Sequence, residues 1–418
     1  MSTKWPEVTL DEHCDLLSGF AFKSPQFTDD PGDVPLIKGK NVGKGEILWD
    51  KSKRWPVTDS NAYDRFWLRE GDVVLAMDRP IVGGELKFAW IKPHDPPSLL
   101  VQRVARLRGA NEISTQFVRC LIASPQFKSY IDTIITGVNV PHISGRDIKR
   151  FSFRLPDPHT QERIVDVLSS YDGLIENNRR RIALLEEAAQ QLYKEWFVRL
   201  RFPGHAHTRI TNGVPDGWDE LTLKDVCEQP GGIQTGPFGS QLHQSDYTPE
   251  GTPVVMPKNI INARIVLEGI ARVPDAICDK LPRHNMERGD IVYGRRGDIG
   301  RHALIGRRQI GWMCGTGCIR LRPVPKEIAP RFLFDQLGRP EMITLITSRA
   351  TGGTMLNLNG KIMSGIPIVR PPDDLQLDYV GRVEPMYALI ESLGEQNQKL
   401  AEARDLLLPR LMSGEVEV

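Results

Sequence analysis

The chain has 418 residues, 40% hydrophobic and 26% charged, which suffices for two or three domains with their own cores and excludes a disordered chain. Its net charge of +1 excludes a global field that draws it to nucleic acid, so any such contact needs local basic patches or a partner's charge. No apolar run approaches the ~20 residues that span a bilayer, no apolar core follows Lys4 and Trp5 as in a signal peptide, and six cysteines are too few for a disulfide framework, so the cytoplasm is the expected compartment.

Residues 1–155 mix short β-like runs at 34–37, 72–75 and 103–107 with Gly and Pro punctuation. One helix is expected over 115–133, with Phe117, Leu121 and Ile122 on one face. Residues 156–201 read as a helical spacer, free of Pro from 159 to 199 and holding one glycine, Gly173. Residues 202–370 repeat the first block, and 371–418 repeat the spacer. Pro156 and Pro158, then Pro371 and Pro372, stand where helix starts should.

The repeat is visible residue by residue at an offset of 213 to 218. The segment from Trp5 to Leu10 recurs from Trp218 to Leu223, and Cys14 recurs as Cys227. Lys40-Asn41 recurs as Lys258-Asn259, Gly71-Asp72 as Gly289-Asp290, and Arg106-Leu107-Arg108 as Arg320-Leu321-Arg322. Thr136-Gly137 recurs as Thr351-Gly352. A period this long is a duplicated domain, not a solenoid. Halves alike in frame but different in loops suit a protein that reads two related things.

Both spacers carry a sustained heptad. Ile164, Leu168, Tyr171, Ile175, Asn178, Ile182, Leu185, Ala189, Leu192 and Trp196 alternate in steps of four and three. So do Tyr379, Val383, Met386, Ile390, Leu393, Asn397, Leu400, Arg404, Leu407 and Leu411. Such a seam needs a partner, and each spacer offers one to the other. An antiparallel register in which paired numbers sum to 575 sets Ile164 against Leu411, Leu168 against Leu407 and Ala189 against Met386. It sets the Tyr171 ring against Arg404, and Asn178 against Asn397. A lone Asn in each seam fixes register if the two meet. The expected fold is therefore α+β. Two similar mixed α/β domains are separated by two long helices that form an antiparallel intramolecular coiled coil, with pseudo-twofold symmetry.

Catalytic motifs are wanting. There is no phosphate loop and no strand-led G-x-G-x-x-G. The run from Asp95 to Ser98 lacks the aromatic of an amino-methyltransferase motif, and Glu85-Leu86-Lys87 lacks an upstream nuclease carboxylate. Cys314 and Cys318 have no second pair or nearby His, so they read as structural thiols. Polar, basic loops are richer. Lys38, Lys40, Asn41 and Arg79 in the first half, and Gln234, Thr235, Lys258, Asn259, Arg295, Arg296 and Arg301 in the second, stand in Gly-containing loops. Arg suits guanine edges, Asn and Gln suit adenine, and Lys suits phosphate. Arg103, Arg146 and Lys361 join the candidates, as does His142, for which packing comes before phosphate contact. Singly these are solvated turns; as a set repeated in both halves they favour double-stranded DNA.

The chain resembles the specificity subunits of type I restriction-modification systems over nearly its whole length. The residues that carry the resemblance are Cys14 to Ser24, Pro35 to Asn41, Gln102 to Leu107 and Thr136-Gly137 through Ser144. In the second half they are Gln234 to Leu242, Arg295 to Arg301 and Cys314 to Cys318. Gln161-Glu162-Arg163-Ile164 opens the first spacer, Glu195 to Val198 ends it, and the tail from Leu407 to Glu415 is typical as well. The second spacer departs from the pattern in opening Leu375-Gln376-Leu377-Asp378-Tyr379. The resemblance implies two target-recognition domains, each reading half of a bipartite asymmetric DNA site, and helical spacers that set the unread gap. It implies two methyltransferase subunits bringing S-adenosylmethionine, and two restriction subunits using ATP and Mg. This chain itself would hold no cofactor, metal or active site. A nuclease with an unrecognised carboxylate metal site and a coiled-coil adaptor that binds only proteins are the competing classes.

Overall fold

In the computed structural model, which describes residues 5–137, 140–352 and 356–418, the repeat in sequence becomes a repeat in topology. The chain divides into two units, one of Met1–Arg179 with Leu393–Val418 and one of Arg180–Ser392. Both long helices are shared out between them, where the sequence reading set the helices apart as spacers. A helix that buries its seam belongs with whatever it packs on.

In the first unit, strands Cys14–Ser18, Val104–Gly109, Val73–Ala76 and Phe88–Trp90 lie in that order in an antiparallel sheet. Val73, Leu75, Ala105 and Leu107 face a core with helices Thr115–Ala123 and Pro125–Ile134. Leu17, Val74, Ala76, Ala89 and Val104 face a second cluster with Ile37, Val42, Leu68 and Leu100. Burial on both faces explains why these strands read as apolar runs rather than alternating ones. Val34–Ile37 pairs antiparallel with Arg54–Trp55 and parallel with Leu99–Leu100. Glu7–Thr9 pairs with Ser152–Arg154 and so brings the chain to the start of the first long helix. The single helix expected over 115–133 is two, because Ser124 caps the second, accepting from the Phe127 N–H, and Pro125 begins it.

The second unit has the same plan. Ile233–Thr235, Cys318–Leu321, Ile291–Gly294 and His302–Leu304 form its antiparallel sheet. Thr252–Val255 pairs antiparallel with Ala271–Val273 and parallel with Met313–Cys314, and Asp219–Thr222 pairs with Pro367–Arg370. Helices Pro330–Leu337 and Pro340–Arg349 back the sheet.

Two of the repeated motifs prove to be one device. In Gly71-Asp72 and Gly289-Asp290 the glycine takes φ of +82° and +90°, which opens a turn that L side chains resist. The following buried aspartate closes that turn, accepting from the Arg69 N–H at 2.8 Å or the Glu287 N–H at 2.7 Å. The same carboxylates accept a forked bond from Arg108 or Arg322, the last residue of each Arg-Leu-Arg. Each pair ties a turn to the neighbouring strand.

The long helices run Pro158–Tyr193 and Asp373–Met412. Asp157 caps the first, accepting from the Thr160 N–H at 3.0 Å. In the first unit Ile164, Leu168, Leu408 and Leu411 share one cluster, and the Asn178 Nδ2 donates to Asn397 Oδ1 at 3.0 Å. The start of one helix thus meets the end of the other, in the antiparallel register expected from the heptads. Arg404 differs from expectation: its guanidinium goes to the Asp172 and Asp405 carboxylates, at 2.7 Å each, instead of the Tyr171 ring. A carboxylate one residue away offers a charge-assisted bond that a ring face does not match.

In the second unit Ala189, Tyr193 and Trp196 pack with Tyr379, Val383 and Met386. Trp196 and Phe197 are adjacent yet both buried, which a π-helical turn at Lys194–Val198 permits. The Asp335 carboxylate accepts from Tyr379 and Tyr387 hydroxyls at 2.7 and 2.9 Å, and burial pushes its pKa up to about 6. The departure noted at the second helix start is partial. Gln376 stands where Gln161 does; both are buried, donating to the Pro371 and Pro156 carbonyls.

Candidate nucleic-acid interface

Antiparallel pairing gathers the loops. Ser18 pairs with Ala105, Ala76 with Val104, and Leu75 with Phe88, so the segments after Ser18, before Val104, after Ala76 and before Phe88 leave one end of the sheet. Backbone bonds tie them together: Gly19 N–H to Val104 O at 3.0 Å, Met77 N–H to Arg103 O at 2.8 Å, and Arg79 N–H to Pro141 O at 2.6 Å. The Lys87 ammonium donates to Gly39 O and so adds the turn that holds Lys38, Lys40 and Asn41. In the second unit the equivalent bonds are Gly236 N–H to Cys318 O at 3.0 Å, Arg295 N–H to Gly317 O at 2.9 Å, and Leu358 N–H to Arg295 O at 2.9 Å. Gly19 and Gly236 have no room for a Cβ, which would collide with the Val101 or Gly315 carbonyl. Each glycine is therefore fixed by close backbone packing.

On this frame the candidates sort into two kinds. Asn41 and Asn259 are 0% and 1% exposed. Asn41 Oδ1 accepts from Lys38 N–H at 3.0 Å, and Asn259 Oδ1 from Met256 N–H at 3.2 Å. Asn41 also donates to Leu48 O. Both asparagines hold their turns shut, with no edge left to offer a base. Arg295 is buried too; it donates to Thr316 O at 3.0 Å and Asn357 Oδ1 at 3.1 Å, and burial lowers its pKa. These three residues build the surface and do not face out of it. Lys38 is half-buried over the Phe27 ring, 4.5 Å from its centroid, and burial lowers its pKa as well. Gln234 spends an amide hydrogen on Thr235 O, and both residues are half-buried.

Lys40, Arg79, Arg146, Lys258 and Lys361 are exposed, with no ion-pair partner among the described residues. Arg146 and Lys361 occupy matching short helices, Gly145–Lys149 and Gly360–Ser364, capped by Ser144 and Asn359. Arg103 is exposed, 3.8 Å from Asp78, and Arg301 is paired with Asp298 at 2.6 Å. The His142 backbone bridges to those of Thr136 and Asp78; in the second unit the Asn357 backbone bridges to those of Thr351 and Arg296. Asp78 and Arg296 therefore occupy one position in the two units, as do His142 and Asn357. Sequence reasoning missed Lys87 and Asn357 as members of this surface. The repeated Thr-Gly, whose Thr stands six residues before each bridging residue, was the available signal for Asn357.

Cys314 and Cys318 are buried thiols, and burial pushes Cys314 up to about 12. Among the described residues no three His, Cys, Asp or Glu side chains gather as a metal site requires. Among them, too, no helix is long and apolar enough to cross a membrane.

The family model described as "Type I restriction modification DNA specificity domain" matches the chain twice, over residues 2–187 and 215–402. The MjaVIII specificity subunit of a type I restriction enzyme from Methanocaldococcus jannaschii is 35% identical over 189 residues, covering 45% of this chain and 44% of that one. The chain thus spans less than half of that relative. The EcoBI specificity subunit from Escherichia coli is 23% identical over 429 residues, covering 99% of this chain and 86% of that one. Among solved structures, the S subunit of a type I restriction-modification system from M. genitalium shares the fold. Its TM-score is 0.58 at 18% identity, covering 98% of this chain and 96% of that one.

Proposed function

The chain belongs to the type I restriction-modification DNA specificity family, and from that membership we propose that it is the non-catalytic subunit that reads DNA for such a complex. Each unit reads one half of a bipartite asymmetric target. The paired helices set the unread gap and dock two methyltransferase subunits. Those subunits bring S-adenosylmethionine, and two restriction subunits bring ATP and Mg. The complex works in the cytoplasm, where the DNA is.

One observation carries this reading. Between the units, two pairs of exposed cations match, whereas Arg79 and Arg103 have Gly297 and Gly317 in their places and the groups nearby differ. Lys40 answers to Lys258 and Arg146 to Lys361, but Asp78 answers to Arg296 and His142 to Asn357. Phosphates are the same along every duplex, so matched cations suit them. Base edges differ, so the unmatched groups suit two different half-sites. A weak net charge is no obstacle when partner subunits help enclose the duplex.

The test is selection from a randomised duplex pool by the full chain assembled with its methyltransferase subunits. Two short sequences separated by a fixed random gap should be enriched, with affinity falling steeply as salt rises. Enrichment of one unbroken sequence, or no enrichment at all, contradicts the proposal.

A further inference from the structure

The aromatic residues at the reading end of the sheet are disposed differently in the two units. In the first, after Gly19, Phe22 is buried, and Phe20, though 37% exposed, is held edge-on in a cluster with Phe22 and Phe66. The Phe20 and Phe22 rings lie 4.9 and 4.8 Å from Tyr63, and Phe22 also meets Trp55. In the second unit, Gly236 is followed by Pro237, Phe238 and Gly239. Phe238 is 57% exposed and makes no ring contact among the described residues.

The backbone that carries this ring is held. Gly236 packs too closely for a Cβ, and its N–H donates to Cys318 O at 3.0 Å. Pro237 O accepts from Thr316 Oγ1 at 2.7 Å, and Thr316 O accepts from Arg295. Arg295 leads directly to exposed Arg296, and Gly317 packs on Pro257, beside exposed Lys258. A solvent-facing apolar ring therefore stands on backbone tied to the segments that carry exposed Arg296 and Lys258. Water is a poor partner for that ring, and the charge on those segments suits a polyanion. A ring framed by phosphate-binding groups meets the base stack when the duplex docks.

We infer that Phe238 is a wedge that enters a base step of the half-site read by the second unit and unstacks it, while the first unit binds its half-site without such insertion. This rests on the proposed DNA-reading function. It adds that the two half-sites are deformed unequally, so the second is selected partly for the ease with which one step opens. Flexible pyrimidine–purine steps are the chemical class the wedge fits.

The experiment uses the full chain with its methyltransferase subunits and the duplex selected from the randomised pool. 2-Aminopurine replaces each adenine in turn, and binding is followed by anisotropy in the same sample. The expected result is a severalfold fluorescence rise at one step of one half-site. Phe238→Ala abolishes the rise and weakens binding about tenfold. Phe238→Leu, which keeps an apolar wedge, retains most of both. Tight, sequence-specific binding with no rise at any position, or a rise unchanged in Phe238→Ala, overturns the wedge and leaves the DNA-reading function standing. Absence of sequence-specific binding by the wild-type complex overturns both.

Discussion

Replacing Asn178 with Leu should destabilise the first unit by about 1–2 kcal/mol, and replacing Asn397 as well should return part of that loss. Asn178 is 6% exposed, and its amide donates to Asn397 at 3.0 Å. With Leu at position 178, the Asn397 carboxamide faces an apolar group. An unsatisfied buried amide costs about 1–3 kcal/mol, and Asn397, being only half-buried, belongs at the lower end. Leu at both positions leaves no amide to desolvate and completes the apolar seam. The double variant should therefore be about 1 kcal/mol more stable than the two single losses added together. Urea unfolding of the four proteins, followed by far-UV circular dichroism, gives the cycle. Because the chain forms two units, the transition that these substitutions move is the one to compare. A coupling within about 0.3 kcal/mol of zero means that the two amides do not recognise each other, and the register argument fails.

Asp335 should make the second unit sensitive to pH. Its folded pKa, about 6, lies above the ordinary value of 3.8, so the folded state binds the proton more tightly. The stability this gives is full below about pH 4 and is lost as pH rises through about 6. The loss is at most about 3 kcal/mol, and it falls below that ceiling because Asp335 keeps some solvent contact that screens it. Asp335→Asn, whose carboxamide can accept from one tyrosine and donate to the other, should unfold with a midpoint indifferent to pH over this window; an unchanged pH dependence contradicts the assignment. Lys40→Ala and Lys258→Ala should each reduce the slope of log affinity against log salt by about 1, without altering stability by more than about 0.5 kcal/mol. Asn41→Ala should do the reverse, costing about 1–2 kcal/mol in urea unfolding and leaving the slope alone. Equal effects of Lys40→Ala and Asn41→Ala on the slope would refute the division into exposed and turn-closing residues.

The doubled plan and the helix register were legible because both are patterns within one chain. Heptad spacing specifies which face is apolar, and a lone Asn in each seam specifies where they meet. Loop polarity was less informative. Asn41, Asn259 and Arg295 look like base-reading residues in sequence, yet their polar atoms are spent on the backbone of their own loops. A short polar side chain three residues after a turn begins can close that turn as readily as face a ligand. A further clue was present. Residues that read different half-sites need not match, so the Asn shared by both halves pointed to structure, while Asp78 and Arg296 pointed to reading. The helix break at Ser124-Pro125 was also written in the sequence, as a cap followed by a first-turn proline. The pairing of Arg404 with Asp172 was not, since a heptad names the facing position but not which neighbour a long side chain will reach.

Independent reading by the two halves is tested most directly by exchanging residues 1–155 for the matching segment of another family member and sequencing the host's methylated sites. One half of the bipartite target should change, with the other half and the gap between them unaltered. Simultaneous change in both halves, in a complex that still methylates, would contradict the account.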